Sequence, residues 1–289
     1  MTDYRYHLLD VFTQTRLAGN QLAVLPDAAG LDERRMQMIA REFNLSETLF
    51  LFPPEREEAL FSVRIFTPGA EIRFAGHPVI GTTVLLAELG LLPTSEGAGQ
   101  AILDLPAGPV PVRIEDGLAT LRAPLPPALA GIVQAEPLAA AVGLTEAEVA
   151  SPVRLATAGT TFAFLQVHDP AWIDRLEPDH AAIARLMPSP ATGLTVFART
   201  GPASFSVRMF APQEGVFEDP ATGSSAAAMA ALLLADEPDC AGQQVEIVQG
   251  VAMGRPSTIY LKPFLDEAGH AAAEVSGRAV RVGEGRLFL

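Results

Sequence analysis

The strongest evidence for the fold is a segment that occurs twice in the chain. Its first copy is Phe61-Ser62-Val63-Arg64-Ile65-Phe66-Thr67-Pro68. It returns 144 residues later as Phe205-Ser206-Val207-Arg208-Met209-Phe210-Ala211-Pro212, with six of the eight positions identical. Apolar, β-branched and aromatic residues dominate both copies, which is typical of a strand. Two unrelated strands of similar composition would explain this match, but only if it stood alone.

Further matches follow in the same order on both sides of the repeat. Downstream, Gly76-His77-Pro78 corresponds to Glu218-Asp219-Pro220, and upstream, Thr48-Leu49-Phe50 corresponds to Thr195-Val196-Phe197. A period of half the 289-residue chain indicates two homologous lobes rather than a solenoid, whose repeats run to roughly 20–50 residues.

We predict that the first lobe covers residues 1–123 and the second covers residues 124–276. The boundary is placed at the run Pro124-Leu125-Pro126-Pro127, since consecutive prolines interrupt helices and strands. The prediction leaves open that residues 277–289 pack back on the first lobe.

Short strand-like runs and few helices are mixed along each lobe. One helix is predicted to open at Asp32, and the segment from Asp179 to Leu186 corresponds to it in the second lobe. A strand hairpin is predicted to turn at Asp116-Gly117. Further helices are predicted to begin at Pro78 and Pro220, since proline is favoured as the first helical residue. The helix after Pro220 is rich in alanine, so it is thin and we expect it to lie buried inside a curved sheet. The predicted fold class is α+β with two pseudo-symmetric lobes, without the regular alternation of a Rossmann fold.

Charge and hydropathy exclude several classes of partner. The net charge is −14 and the basic residues do not cluster, so neither nucleic acid nor an anionic membrane is expected to bind. No apolar run reaches the ~20 residues that span a bilayer, and the N-terminus lacks a signal-peptide pattern. We therefore expect a cytoplasmic protein.

The scarcity of lysine and cysteine narrows the chemistry. Lys262 is the only lysine, at the end of a predicted strand, so lysine-bound cofactors have little support. Cys240 is the only cysteine, which excludes a cysteine-rich metal site and a two-thiol acid/base pair. The histidines show no metal-ligand spacing. We expect no metal and no cofactor.

The two predicted helix starts carry candidate chemistry. His77 and Asp219 each stand immediately before a proline, and the first-turn amides of such helices attract a carboxylate or phosphate. Glycines close by, Gly76 and Gly223, allow a ligand to approach closely. Both helix starts are expected to face one cleft between the lobes. For Asp219 a simple N-cap remains an equal alternative.

Glu47 is the third candidate, an acid at the start of an otherwise apolar strand. Apolar surroundings would raise its pKa towards the working pH, which suits a general acid/base. Aligning the Thr48 and Thr195 segments places Leu194 opposite Glu47, so the acid does not recur in the second copy. An exposed glutamate at a strand end remains the alternative.

Several motifs together resemble the PhzF family of phenazine-biosynthesis-type isomerases, related in fold to diaminopimelate epimerase. They run in family order over nearly the whole chain, and the matching segments are Asp10–Thr13, Gly19–Val24, Phe43–Thr48, Arg64–Pro68, Phe74–Pro78, Glu218–Ser224, Gln249–Gly250 and Met253–Ser257. Arg73 and Gln21 depart from the family pattern. The resemblance implies two lobes, each a β-barrel-like sheet around a central helix, and a homodimer.

The resemblance further implies that Glu47 accepts and donates the proton and that Gly76, His77, Asp219 and Ser224 line the site. We add Gly223 and Asn20 as substrate-binding residues, although Gly19-Asn20 also fits a simple turn. The expected activity is cofactor-independent isomerisation of a small amino- or hydroxy-carboxylic acid.

Two alternatives to this activity stay open. One is an epimerase or racemase that uses Glu47 and Asp219 on opposite faces of a stereocentre. The other is a non-catalytic small-molecule-binding protein that retains the fold.

Overall fold

A computed structural model describes residues 3–289 of the chain. The chain forms two compact units: the first contains the residues up to Pro124 together with Ser276–Leu289, and the second contains Leu125–Val275. Strands outnumber helices in both units, so the predicted α+β class is confirmed. None of the helices within residues 3–289 is long and apolar enough to cross a membrane.

The helices and strands have the following bounds. Up to residue 124 they are β1 Asp3–Val11, β2 Asn20–Leu25, α1 Glu33–Phe43, β3 Glu47–Phe52, β4 Phe61–Phe66, β5 Glu71–Ile72, α2 Gly76–Glu88, β6 Ala98–Leu105, β7 Gly108–Glu115 and β8 Leu118–Arg122. From residue 125 they are β9 Ala128–Val133, α3 Glu136–Ala140, β10 Val153–Thr157, β11 Thr161–Gln166, α4 His180–Leu186, β12 Gly193–Gly201, β13 Ser204–Ala211, β14 Val216–Asp219, α5 Gly223–Asp236, β15 Val245–Gln249, β16 Ser257–Leu265, β17 Ala271–Gly277 and β18 Ala279–Phe288.

Both units repeat one order of strand pairing. In the first unit the pairs β1–β2, β2–β3, β3–β4 and β4–β6 are antiparallel, parallel, antiparallel and parallel. In the second unit β10–β11, β11–β12, β12–β13 and β13–β15 follow the same order. The C-terminal strand β18 pairs with β1, just as β9 pairs with β10. The repeated sequence therefore corresponds to a repeated sheet.

The outer helices repeat as well. Asp32 caps α1 by accepting a hydrogen bond from the backbone N–H of Arg35, and Asp179 caps α4 by accepting from that of Ala182. An aspartate at this position satisfies one of the helix-start amides that lack an internal partner. Both helices were expected at these positions as copies of one another.

A buried helix lies against the sheet of each unit. In the first unit α2 contacts β1, β2, β3, β7, β8 and β18, and in the second unit α5 contacts β9, β10, β11 and β16. A Cβ built on Gly81 of α2 would lie 2.6 Å from the Val11 side chain and 2.7 Å from that of Leu22. The five alanines of α5 between Ala226 and Ala231 are buried. Small residues thus allow sheet and helix to pack closely, as the alanine content indicated.

The start of each central helix differs from the prediction. Pro78 is the third residue of α2, not the first, and Pro220 lies three residues before α5 begins at Gly223. The proline after Asp219 belongs to a turn that links β14 to the helix. Proline fits the first turn of a helix and the preceding turn equally well, since neither requires its N–H.

The strand register shows that the match of Gly76-His77-Pro78 with Glu218-Asp219-Pro220 was wrong. Ile72 lies opposite Ile65 as Asp219 lies opposite Met209, so Asp219 corresponds to Ile72 and not to His77. Gly76 and Gly223 are the residues that begin the two central helices.

The register also corrects the match of the Thr48 and Thr195 segments. Thr48 on β3 lies opposite Phe66, and Leu194 on β12 lies opposite Phe210. Phe66 and Phe210 are equivalent in the repeat, so Thr48 and Leu194 occupy equivalent positions. The alignment of the two Thr-x-Phe segments was therefore wrong by one residue.

We expect Ala228→Leu to lower the free energy of unfolding by about 1–3 kcal/mol, because Ala228 on α5 has no exposed surface and a larger side chain overpacks the contact with the sheet. Ala235→Leu, on the exposed end of the same helix, is the matched control and should change stability by less than about 0.5 kcal/mol. Urea unfolding of both variants measures the difference. Equal effects would contradict the close packing of α5.

Candidate active site

The structure brings Glu47 and His77 together. Glu47 is the first residue of β3 and His77 is the second residue of α2, and Glu47 Oε2 lies 3.2 Å from His77 Nε2. The Glu47 side chain is 17% exposed and that of His77 is 6% exposed. Glu47 is therefore not the exposed strand-end acid of the alternative interpretation. Its contact with His77 was not foreseen from the sequence.

His77 is held as a neutral imidazole. Burial lowers its pKa from the usual 6.5 to about 3, and a hydrogen bond with the backbone of Gln21 opposes this only weakly. The contact with Glu47 is for this reason not an ion pair near neutral pH.

The other predicted residues of the first unit lie close by in the fold. Gly76 is the first residue of α2, and the N-cap residue Ala75 makes no side-chain hydrogen bond to the helix start. Asn20 is buried and begins β2, the strand that pairs in parallel with β3. Gly19 before it has a φ of +66°, so the turn at Gly19-Asn20 is also present.

Arg73, which departs from the family pattern, is bound to a neighbouring turn. Its Nη2 donates a hydrogen bond to the carbonyl of Pro106 at 2.9 Å, and its own carbonyl accepts from the N–H of Ala107. The guanidinium group is therefore anchored to the connection between β6 and β7.

Asp219 forms the centre of the candidate site in the second unit. It is the last residue of β14 and lies opposite Met209 of β13. The preceding Glu218 accepts two hydrogen bonds of 2.9 Å from Arg208, which holds β14 against β13. The N-cap of α5 is Thr222. The interpretation of Asp219 as an N-cap was therefore wrong.

Thr222 and Gln249 complete this group, and sequence reasoning assigned neither a role. Thr222 Oγ1 donates to Asp219 Oδ2 at 2.6 Å, and the side-chain amide of Gln249 contacts both residues. Gln249-Gly250 was one of the family-like motifs, but a motif match does not reveal the partner of a side chain. Gly223 and Ser224 are the first two residues of α5.

The second unit has no acid at the position of Glu47. The register places Gly193 there, one residue before Leu194. A Cβ on Gly193 would lie 3.1–3.2 Å from Met209, Phe162 and Phe210, so this position has little space for any side chain. The expectation that the acid occurs once is confirmed, although its counterpart is Gly193.

A carboxyl group beside a neutral imidazole is a pair of side chains suited to acid/base chemistry, which an isomerase can use. Comparison with known proteins places the chain among isomerases. The family model for phenazine biosynthesis-like proteins, PhzC-PhzF, matches residues 9–285. The chain belongs to this family, and it is an isomerase.

Named relatives match over their whole length. An uncharacterised isomerase of Mesorhizobium japonicum is 39% identical, with all of both chains covered. The trans-2,3-dihydro-3-hydroxyanthranilate isomerase of Pseudomonas aeruginosa is 36% identical, with 99% of this chain and 100% of the relative covered. The structure of a PhzF-family protein from Bacillus anthracis superposes with a TM-score of 0.89 at 24% identity, covering 100% of both chains. At 24% identity, the comparison with the Bacillus anthracis structure shows similarity of fold alone.

We expect the His77 ring to remain neutral from pH 8 down to pH 5, since its pKa is lowered to about 3. Its ring carbon and nitrogen resonances should stay constant over this range in an NMR titration, while a histidine peptide in the same buffers titrates. The His77→Gln variant assigns the resonance. A His77 midpoint above pH 6 would contradict the neutral imidazole.

Proposed function

We propose that this isomerase moves a proton between two carbons of a small amino- or hydroxy-carboxylic acid, without a cofactor. Glu47 takes a proton from one carbon, the double bond shifts, and Glu47 returns the proton to another carbon. The observation that carries this proposal is the 3.2 Å contact between Glu47 and a buried, neutral His77.

The charge state of His77 matters because Glu47 must act in both directions. An imidazolium 3.2 Å from Glu47 would stabilise the carboxylate, and the carboxyl group would then be a weaker base and a poor proton donor. The neutral ring places no positive charge beside the carboxyl group and so avoids this penalty. It also offers a nitrogen to the substrate amine or hydroxyl.

The helix starts supply the binding groups in this proposal. The amides of Gly76-His77 and of Gly223-Ser224 would bind the substrate carboxylate and stabilise the charge that develops on deprotonation. Neither Ala75 nor Thr222 caps its helix with a side chain, which leaves first-turn amides for a ligand. Asp219 would hold the substrate amine or hydroxyl, and Asn20 would contact the substrate.

The first compound to test is trans-2,3-dihydro-3-hydroxyanthranilate, the substrate that names the Pseudomonas aeruginosa relative. It carries the carboxylate, amine and hydroxyl groups that the proposal requires. The two chains are 36% identical, so this chain can differ from the relative in its substrate. Small amino and hydroxy acids therefore form the rest of the panel.

We expect Glu47→Gln to lower kcat by at least about 1,000-fold, because the amide keeps the shape of the side chain but cannot accept a proton. Ligand affinity measured by calorimetry should stay within about tenfold. Glu246→Gln, an exposed glutamate on β15, is the control and should keep full activity. A Glu47→Gln enzyme with wild-type kcat would remove Glu47 from the mechanism.

An epimerase that uses Glu47 and Asp219 is distinguished by its product. Epimerisation changes only the configuration at one carbon, so the optical rotation of the substrate falls while its double bonds stay in place. A regiospecific isomerase gives a product with a different ultraviolet spectrum. The non-catalytic alternative has no support among the named relatives, which are isomerases.

The assembly and the cellular location remain parts of the proposal. We infer a homodimer from the family resemblance and a cytoplasmic location from the sequence. The net charge of −14 supports the absence of nucleic-acid and membrane partners. Sedimentation equilibrium should give a mass of about twice 30.5 kDa, and a single-chain mass at micromolar concentration would contradict the dimer.

A further inference from the structure

Gln249 binds the turn between β14 and α5 through every polar atom of its side chain. It is the last residue of β15 and is 2% exposed. Its Nε2 donates to the carbonyl of Asp219 at 2.7 Å and to Thr222 Oγ1 at 3.0 Å, while its Oε1 accepts from the N–H of Thr222 at 3.2 Å. One side chain thus holds both ends of the turn.

These contacts fix the direction of each hydrogen bond. A flipped amide would place its NH2 group against the Thr222 N–H and its oxygen against the Asp219 carbonyl, so only one orientation is possible. The Thr222 hydroxyl has a single proton, and it accepts from Gln249. It must therefore donate to Asp219 Oδ2, at 2.6 Å. The donors run in series from Gln249 through Thr222 to Asp219.

The backbone after Gln249 touches the same turn. Gly250 has a φ of +76°, and a Cβ on it would lie 2.7 Å from the carbonyl oxygen of Pro220 and 2.4 Å from that of Arg255. Neither backbone atom can move aside easily. The end of β15 therefore packs directly against the turn that follows Asp219.

The internal repeat shows that the fold alone does not require a glutamine here. When Phe61 and Phe205 are superposed, the pairing of β4 with β6 and of β13 with β15 makes Leu105 the counterpart of Gln249. Leu105 is also buried, at 4% exposure. An apolar side chain satisfies this sheet position in the first unit, although three residues link β5 to α2 there just as three residues link β14 to α5 in the second unit.

We infer that Gln249 is a positioning residue for the isomerase reaction. It acts through Thr222, whose hydroxyl orients the carboxylate of Asp219 towards the substrate. This inference rests on the proposed role of Asp219 in binding the substrate.

The first test removes the hydroxyl of Thr222 and leaves the turn. Thr222→Val should lower kcat at least tenfold with KM within about threefold, because the carboxylate is present but no longer aligned for the reaction. Thr222→Ser keeps the donor and should recover most of this loss. In an Asp219→Ala background, Thr222→Val should lower kcat less than twofold further. A full additional loss there, or wild-type kcat in Thr222→Val, would overturn the inference.

The second test removes the amide and needs no substrate. Gln249→Leu introduces the residue type of the first unit, and hydrogen exchange should accelerate at least tenfold at the amide of Thr222 while β16 stays protected. Gln243→Leu, at an exposed glutamine whose side chain donates a hydrogen bond to the Asp239 carbonyl, is the matched control and should leave that amide unchanged. Unchanged exchange at Thr222 in Gln249→Leu would overturn the inference.

Failure of the inference and failure of the proposed function give different results. Should Asp219→Ala itself keep wild-type kcat, the proposed role of Asp219 is wrong and the inference falls with it. Should Asp219→Ala lose activity while Thr222→Val does not, the proposed function stands and only the positioning role is wrong.

Discussion

The close packing of a small-residue helix against a sheet is the constraint on which both units depend. Gly81 has no room for a methyl group beside Val11, and the alanines of α5 play the same part in the second unit. In the first unit the packed helix begins at Gly76, so His77 in its first turn is buried beside Glu47, and burial keeps the imidazole neutral.

The same frame has been specialised differently in its two copies. The first unit has an acid where the second has Gly193, and the second has a glutamine where the first has Leu105. Each of these positions accepts a non-polar residue in one unit. The fold alone therefore does not explain the polar residue in the other unit. Duplication thus provides an internal comparison that a single sequence normally lacks.

Much of the fold could be predicted from the sequence, because repeated strands and capping aspartates are local signals. Asp32 and Asp179 marked two helices correctly, and the hairpin at Asp116-Gly117 has the positive φ angles of a tight turn. The start of α5 could not be predicted, since Pro220 suits both a helix and a turn. Glu47, His77 and Asp219 were identified as candidates, but the Glu47–His77 contact and the bonds of Gln249 depend on tertiary structure.

The central claim is that one carboxyl group, that of Glu47, both removes and returns the proton. A single turnover in ordinary water, with substrate deuterated at the carbon that loses its proton, tests it most directly. Mass spectrometry and NMR of the product should find part of the deuterium at the newly protonated carbon, because Glu47, whose side chain is only 17% exposed, carries it there before all of it exchanges with solvent. The same deuterium transfer in the Glu47→Gln variant would contradict the claim, since another group would then carry the proton.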